Sequence, residues 1–334
     1  MASTGQREFV VTYFRSKMKM RYGLLLILAL VLTVGGLAAI WAMCPGCVVG
    51  GAGGIVGSSP QDSAYIMYSM SNSPYQEWQA RLLEFSLKEV GQPGSVIRCI
   101  AQDPQYPMRV VPDFGNGGHT IVTEDFSRHA RGYLPLNKAG GLREVFKRLV
   151  LPPQALVICV DPDMIFAKRW TPDISSGHVV GQRWKGYSPR FCTATSDASH
   201  HPFCPKKEED AVMYPFAATA ADLQALSDVY FEAAQYPSEE WMVEMTALVV
   251  AIKKIGLEVS TQENIGLCGD WPHADDVDAP ILHYCQPVFD HHGKEIWNKR
   301  KYKPFDEPPK PDKAENRVGR EVLEALHSYR ELHS

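Results

Sequence analysis

Residues 161–163 read Asp-Pro-Asp directly after the apolar run ALVICV at 155–160. Two carboxylates at i and i+2, released at the end of a buried strand, can converge on one hard cation. Oxygen donors of this kind suit Mg²⁺ or Mn²⁺. In open α/β sheets, ligands bind outside the carboxyl ends of the strands. The bland alternative is a solvated turn bent by Pro162; the apolar run before Asp161 and MIF after Asp163 favour a site. His283 in ILHYCQP follows a second apolar stub and is a candidate imidazole ligand, its alternative being an ordinary half-buried histidine. His291 and His292, in DHHGK, read as solvated. His200 and His201 beside Cys192 and Cys204 do not make a standard zinc spacing. Glu244, in EEWMVEMTALVV, is an acid in a mostly apolar helical stretch. Buried carboxylates need partners and often mark function, although the register also allows a polar face shared with Glu240.

The elements that would position these groups follow from periodicity. AYIMYSMS from Ala64 reads as a strand. A helix follows, with Ser73 as its cap, Pro74 in its first turn and Gln76 completing a capping box. Tyr75, Trp78, Leu82 and Phe85 recur at helical spacing, and Gly91 and Pro93 end the helix. SVIRCI is a second strand, and residues 103–140 read as mostly irregular. Leu142, Val145, Phe146 and Leu149 predict a helix over 141–150, stopped by Pro152 and Pro153. The continuous apolar run at 155–160 predicts a buried strand of a parallel sheet. Residues 168–210 read as a long loop region with short strands. Helices are expected at about 220–235 and 238–255, the latter with Trp241, Met245, Leu248, Ile252 and Ile255 and a stop at Gly256. LEVS is a further strand. A charged tail over 303–334 ends in an amphipathic helix bearing Val318, Val322, Leu326 and Tyr329, a stripe that suits docking. Strands alternating with helices predict an α/β class with a doubly wound, mostly parallel central sheet.

The chain has 334 residues, a formal charge of -4, 22% charged and 45% hydrophobic residues. That composition is ordinary for a globular protein and carries no basic excess pointing to nucleic acid. Residues 23–43, GLLLILALVLTVGGLAAIWAM, are uncharged and long enough to cross a bilayer. Arg7, Arg15, Lys17, Lys19 and Arg21 precede them, so residues 1–22 are expected to form a cytosolic tail behind a transmembrane signal anchor. A cleaved signal peptide is the alternative, and its apolar core is usually shorter. Residues 44–62, rich in Gly and Ser, read as a flexible stem, and 63–302 as the folded domain. Eight cysteines fit an oxidising compartment, with Cys192 and Cys204 the first disulfide candidates. Cys44 and Cys47, a CPGC beside the anchor, lack the context of a redox pair.

From Ala64 to about Trp297 the chain resembles the hydroxyproline O-arabinosyltransferases and the related peptidyl serine α-galactosyltransferases. The resemblance rests on SMSNSPYQEWQARLLEFSLKEVGQPGSVIRCI, YLPLNKAGGLREVF, ALVICVDPDMIFAKRW and EEWMVEMTALVVAIKKIGLEV, in the family's order. ILHYCQP is similar to the C-terminal histidine segment of glycogenin-like transferases. The resemblance implies a GT-A-type fold and a metal-dependent glycosyltransferase that uses a UDP-sugar donor and retains anomeric configuration. Its acceptor would be a protein or peptide hydroxyl, on hydroxyproline or serine. In that reading Asp161, Asp163 and His283 hold Mn²⁺ or Mg²⁺, with Asp161 also near the nucleotide. Lys138 or Lys294 adds positive charge at the departing phosphate, and Asn137 bonds the donor sugar or ribose. Tyr65, Tyr68, Ser69 and Ser71 lie where the uridine is held. Glu244 or Asp270 faces the sugar as orienter or nucleophile. With the anchor, this implies a single-pass type II protein of the Golgi or ER membrane with a lumenal catalytic domain. A non-enzymatic, membrane-anchored carbohydrate-binding or scaffold protein is the competing class.

Overall fold

The computed structural model describes residues 63–106, 118–130, 132–185, 187, 201–235, 243–268, 278–303 and 306–333. The expected anchor, the stem, Cys192, Trp241 and Asp270 lie outside them. Among the described residues no helix is long and apolar enough to cross a membrane.

Strand β1 (Ala64–Ser71) runs into helix α1 (Pro74–Glu89) through the expected cap. The Ser73 side chain accepts from the Gln76 N–H at 3.4 Å. The reciprocal half of the capping box differs: Gln76 accepts from the backbone N–H of Ser71, tying the helix start to the strand end. Gly91, at φ +61°, lets the Gln92 N–H close back on the Leu87 carbonyl at 2.9 Å, which caps the carboxyl end.

The chain continues as β2 (Ser95–Gln102), β3 (Gly118–Glu124), α2 (Leu136–Arg148), β4 (Leu156–Val160), β5 (Met164–Phe166) and β6 (His178–Arg183). Then come β7 (Val212–Thr219), α3 (Ala220–Ala234), α4 (Val243–Lys254), β8 (Glu258–Gln262), β9 (Gly266–Cys268) and β10 (Ile281–His283). A small hairpin, β11 (Val288–Phe289) and β12 (Glu295–Trp297), and helix α5 (Arg317–His333) complete the order.

The main sheet has the order β3-β2-β1-β4-β7-β6-β8, every neighbour parallel except those of β7. The α/β class and the mostly parallel sheet therefore hold, with one reversed strand near the centre. Helices α1 and α2 cover opposite faces: Tyr68 on β1 bonds to Glu84 of α1, while Ser69 donates to the Asn137 carbonyl of α2. Helix α2 approaches closely. A Cβ on Gly141 would stand 3.0 Å from Cys99 and Ser69, and one on Gly140 would stand 2.1 Å from the Phe126 ring.

Three expectations need correction. Residues 103–140 contain β3, an edge strand, and α2 begins at Leu136 rather than 141. Strand β7 was not expected, because Pro215 lacks an N–H and argues against a central strand. The sheet accommodates it in an irregularity. The β6 ladder passes from Phe216 to Met213, and the β4 ladder stops at Phe216, so neither calls on Pro215.

A second, three-stranded sheet has the order β5-β10-β9, with β10 antiparallel to β5 and parallel to β9. Its core includes Trp78 and Leu82 of α1, Leu282 of β10, Trp297 of β12, and Val318, Val322 and Leu326 of α5. Tyr329 sits edge-on to Phe85 at 5.7 Å. The C-terminal stripe is thus a docking face for the chain's own first helix.

Candidate metal centre

Strand β4 is paired on both sides and its side chains are apolar, so the first carboxylate appears where the strand ends. That residue is Asp161, 8% exposed. The Asp-Pro-Asp turn closes with the Met164 N–H donating to the Asp161 carbonyl at 3.2 Å. The chain then leaves the main sheet and enters the small one as β5. There, Met164 pairs with His283 on β10, and the Tyr284 N–H donates to the Asp163 carbonyl at 3.2 Å. Sheet register thereby sets His283 beside Asp163, with Nε2 3.2 Å from Oδ2. A disulfide between Cys268, the last residue of β9, and Cys285, two residues after His283, ties this corner together.

One ligand atom from each of Asp161, Asp163 and His283 lies within 4.8 Å of the others. Asp161 Oδ1 is buried, with the Lys138 ammonium 2.9 Å away. Asp161, Asp163 and Glu244 face Lys138, Lys299 and the His283 imidazole. Two carboxylates and an imidazole are a donor set that fits Mn²⁺ or Mg²⁺.

Two lysines frame the cluster. Lys299 bonds to Asp163 Oδ2 and follows β12. The strand is anchored by Trp297, whose ring lies 6.0 Å from Tyr284 and 6.4 Å from Trp78. Burial pushes the Asp163 carboxyl up, but His283 and Lys299 outweigh it and hold it well below the usual carboxylate range. Lys138, on the first turn of α2, donates to Asp161 Oδ2 at 3.0 Å and to Glu244 Oε1 at 3.2 Å. Burial pulls its ammonium down, and the charges of Asp161 and Glu244 reverse this and raise it. Glu244, in the first turn of α4, is buried. Its Oε2 accepts from the Tyr133 hydroxyl at 2.5 Å.

The remaining expected residues are placed elsewhere. Tyr68 is buried under α1, its hydroxyl on Glu84, which also pairs with Arg98; it is not open to a ligand. Ser69 is engaged with the Asn137 carbonyl, and Ser71 with the Ser73 hydroxyl at 2.8 Å. Tyr65 packs half-buried on the main core. Asn137 was expected at the donor. Instead, its side-chain amide donates to Asp125 and accepts from the Phe126 N–H, holding the segment that leads into α2. Lys294 lies exposed in the β11–β12 turn, where its N–H donates to Asp290; the second lysine of the cluster is Lys299. His291 and His292 are exposed in that turn. Cys204 is disulfide-bonded. Tyr133 and Lys299 were not singled out from sequence, though Tyr133 opens the YLPLNK segment and Lys299 sits in a basic run.

No protein-family model matches the chain. No curated protein matches it either. Among solved structures, it is similar to the galactosyltransferase LgtC in complex with donor and acceptor sugar analogues. That match has 10% identity and a TM-score of 0.46, and covers 79% of this chain and 95% of that one. It is also similar to the apo form of WbbM, a bifunctional glycosyltransferase, with 7% identity, a TM-score of 0.46, and 81% and 52% of the two chains covered.

Proposed function

We propose that the chain is a metal-dependent glycosyltransferase of GT-A type that moves a sugar from a UDP-sugar to a protein acceptor hydroxyl, on hydroxyproline or serine. One observation carries the reading. Ligand atoms of Asp161, Asp163 and His283 converge within 4.8 Å of one another at the carboxyl end of a central strand. Donor, acceptor class and retention of configuration rest on the sequence resemblance of the segments around these residues.

In this reading Asp161, Asp163 and His283 hold Mn²⁺ or Mg²⁺. When bound, the metal supplies Lewis-acid stabilisation of the charge that develops on the departing diphosphate. Lys138 and Lys299, each already bonded to one of the acids, add fixed positive charge at the same edge of the sheet. The corner built by β5, β10 and the Cys268–Cys285 disulfide orients the imidazole through backbone register rather than through a mobile loop. We place the protein, as a proposal, in the Golgi or ER membrane. Residues 23–43 are its anchor, and the domain from residue 63 is lumenal.

Calorimetry with a panel of UDP-sugars, with and without Mn²⁺, tests the function. Metal-dependent binding followed by donor hydrolysis supports a transferase. Binding without turnover favours the competing scaffold, and no binding refutes the reading. His283→Ala should weaken Mn²⁺-dependent UDP binding far more than His291→Ala or His292→Ala, since those two histidines lie in an exposed turn. Protease protection of the C-terminal domain in intact microsomes tests the topology.

A further inference from the structure

We propose that Tyr133 is a positioning residue that fixes the Glu244 carboxylate and, through it, the Lys138 ammonium against Asp161; the role in catalysis rests on the transferase reading above. The Tyr133 hydroxyl bonds Glu244 twice. It donates to Glu244 Oε2 at 2.5 Å and accepts from the Glu244 backbone N–H at 3.1 Å. Glu244 stands in the first turn of α4, where N–H groups lack helical partners, so the tyrosine satisfies the backbone and clamps the side chain together. The other carboxylate oxygen, Oε1, accepts from Lys138 at 3.2 Å, and Lys138 reaches Asp161 at 3.0 Å. The Lys138 ammonium is also held 4.9 Å over the Tyr214 ring.

This chain of contacts links three elements that are distant in sequence: the segment before α2, the start of α4, and the end of β4. Both Glu244 oxygens are occupied by donors of the protein, and the residue is buried. That arrangement suits a holder of Lys138 rather than a nucleophile open to a sugar. Removing the hydroxyl frees one carboxylate oxygen and lets Glu244 change rotamer, which moves the charge that Asp161 meets. A misplacement of about 1 Å near reacting groups can cost on the order of 100-fold in turnover.

The test uses Tyr133→Phe, Glu244→Gln and the double variant of the full chain. Phenylalanine keeps the ring in its place against the core but leaves the Glu244 carboxylate oxygen and N–H without that partner, so the melting temperature should fall by roughly 2–10 °C while the chain still folds cooperatively. Turnover should fall on the order of 10- to 100-fold, with the donor KM little changed. The same substitution in the Glu244→Gln background should then cost nothing further. Unchanged kcat in Tyr133→Phe, or equal losses in both backgrounds, overturns the proposal while leaving the transferase reading intact. If the wild-type chain turns over no UDP-sugar, the transferase reading fails, and the clamp is read instead in urea unfolding. There, coupling between the two substitutions supports it and additivity overturns it.

Discussion

Asp163→Asn separates the chemistry of the metal centre from its contribution to folding. Asp163 Oδ2 faces Lys299 and His283, and only 10% of the Lys299 side chain and 15% of Asp163 are exposed. Removing one charge of a buried pair costs about 3–5 kcal/mol, chiefly because the partner is left charged and desolvated. The residual exposure screens part of that, so a loss of about 2 kcal/mol is expected here. For a domain of this size that corresponds to a fall in Tm of roughly 4–8 °C. The second substitution, Lys299→Met, removes the stranded ammonium and keeps an unbranched stem beside the Tyr284 ring, 5.8 Å from the lysine nitrogen. Asp163→Asn/Lys299→Met should therefore recover at least half of the lost Tm. Metal binding should behave differently, because neither variant restores the anionic oxygen; Mn²⁺-dependent UDP binding should be absent from both. Scanning calorimetry in chelator reads the first effect, and titration calorimetry with Mn²⁺ and UDP the second. A double variant as unstable as the single one would refute the argument that the stranded Lys299 charge is what costs stability. Wild-type metal-dependent UDP binding by either variant would refute Asp163 as a ligand.

Three further expectations follow from the surroundings of the site. Glu84→Ala removes the carboxylate that Arg98 and Tyr68 share under α1, where the acid side chain is fully buried, and should cost about 3–5 kcal/mol in denaturant unfolding. Gly140→Ala would favour an isolated helix by about 1 kcal/mol. In this chain the added methyl meets the Phe126 ring at 2.1 Å, so a net loss of roughly 1–3 kcal/mol should appear in a melting curve. Cys285→Ser opens a cross-link spanning 17 residues and should lower stability by about 3 kcal/mol. Because it also loosens the strand that carries His283, it should weaken Mn²⁺ binding, measured by titration, whereas Gly140→Ala should leave that affinity unchanged.

The parts of the molecule that were legible in the sequence share a physical cause: they are local. The β1–α1 start is written in Ser73, Pro74 and Gln76, and the α5 stripe in residues three and four apart. The run LVICV needs no partner information to read as a buried strand. What escaped the sequence depends on partners far along the chain. Strand β7 carries a proline that local rules forbid, and only the skipped register against β6 makes it acceptable. Tyr68 lies on the expected strand and Asn137 in a stretch expected to be irregular, and their side chains turn to Glu84 and Asp125. Composition alone does not say which face of β1 meets which helix. Lys299 was missed in favour of Lys294 because nearness to the histidine in sequence is a poor guide across a hairpin. The β11–β12 turn carries Lys294 into solvent while β12 returns Lys299 to Asp163.

The candidate metal cluster sits at a handover between two sheets, and that location explains its composition. Strand β4 belongs to the main sheet and β5 to the small one, and Asp161 to Asp163 is the joint between them. A strand that continued straight would bury both positions against neighbours, where carboxylates could not be tolerated without counter-charges. Pro162 has no N–H to lose at the bend, so the joint breaks the ladder without leaving an unsatisfied donor. Residues two apart along a strand already share a face, and across this bend the two acids still present oxygens within 4.8 Å of each other. Because β5 then pairs with β10 in antiparallel register, the residue opposite Met164 is the one delivered beside Asp163, and that residue is His283. A one-residue slip of β10 would place Leu282 or Tyr284 there and send the imidazole to the other face. The Cys268–Cys285 bond and the Tyr284 N–H to the Asp163 carbonyl oppose that slip. The three ligand candidates are thus brought together by backbone pairing, which is why residues more than a hundred positions apart can form one site without a loop having to close over it.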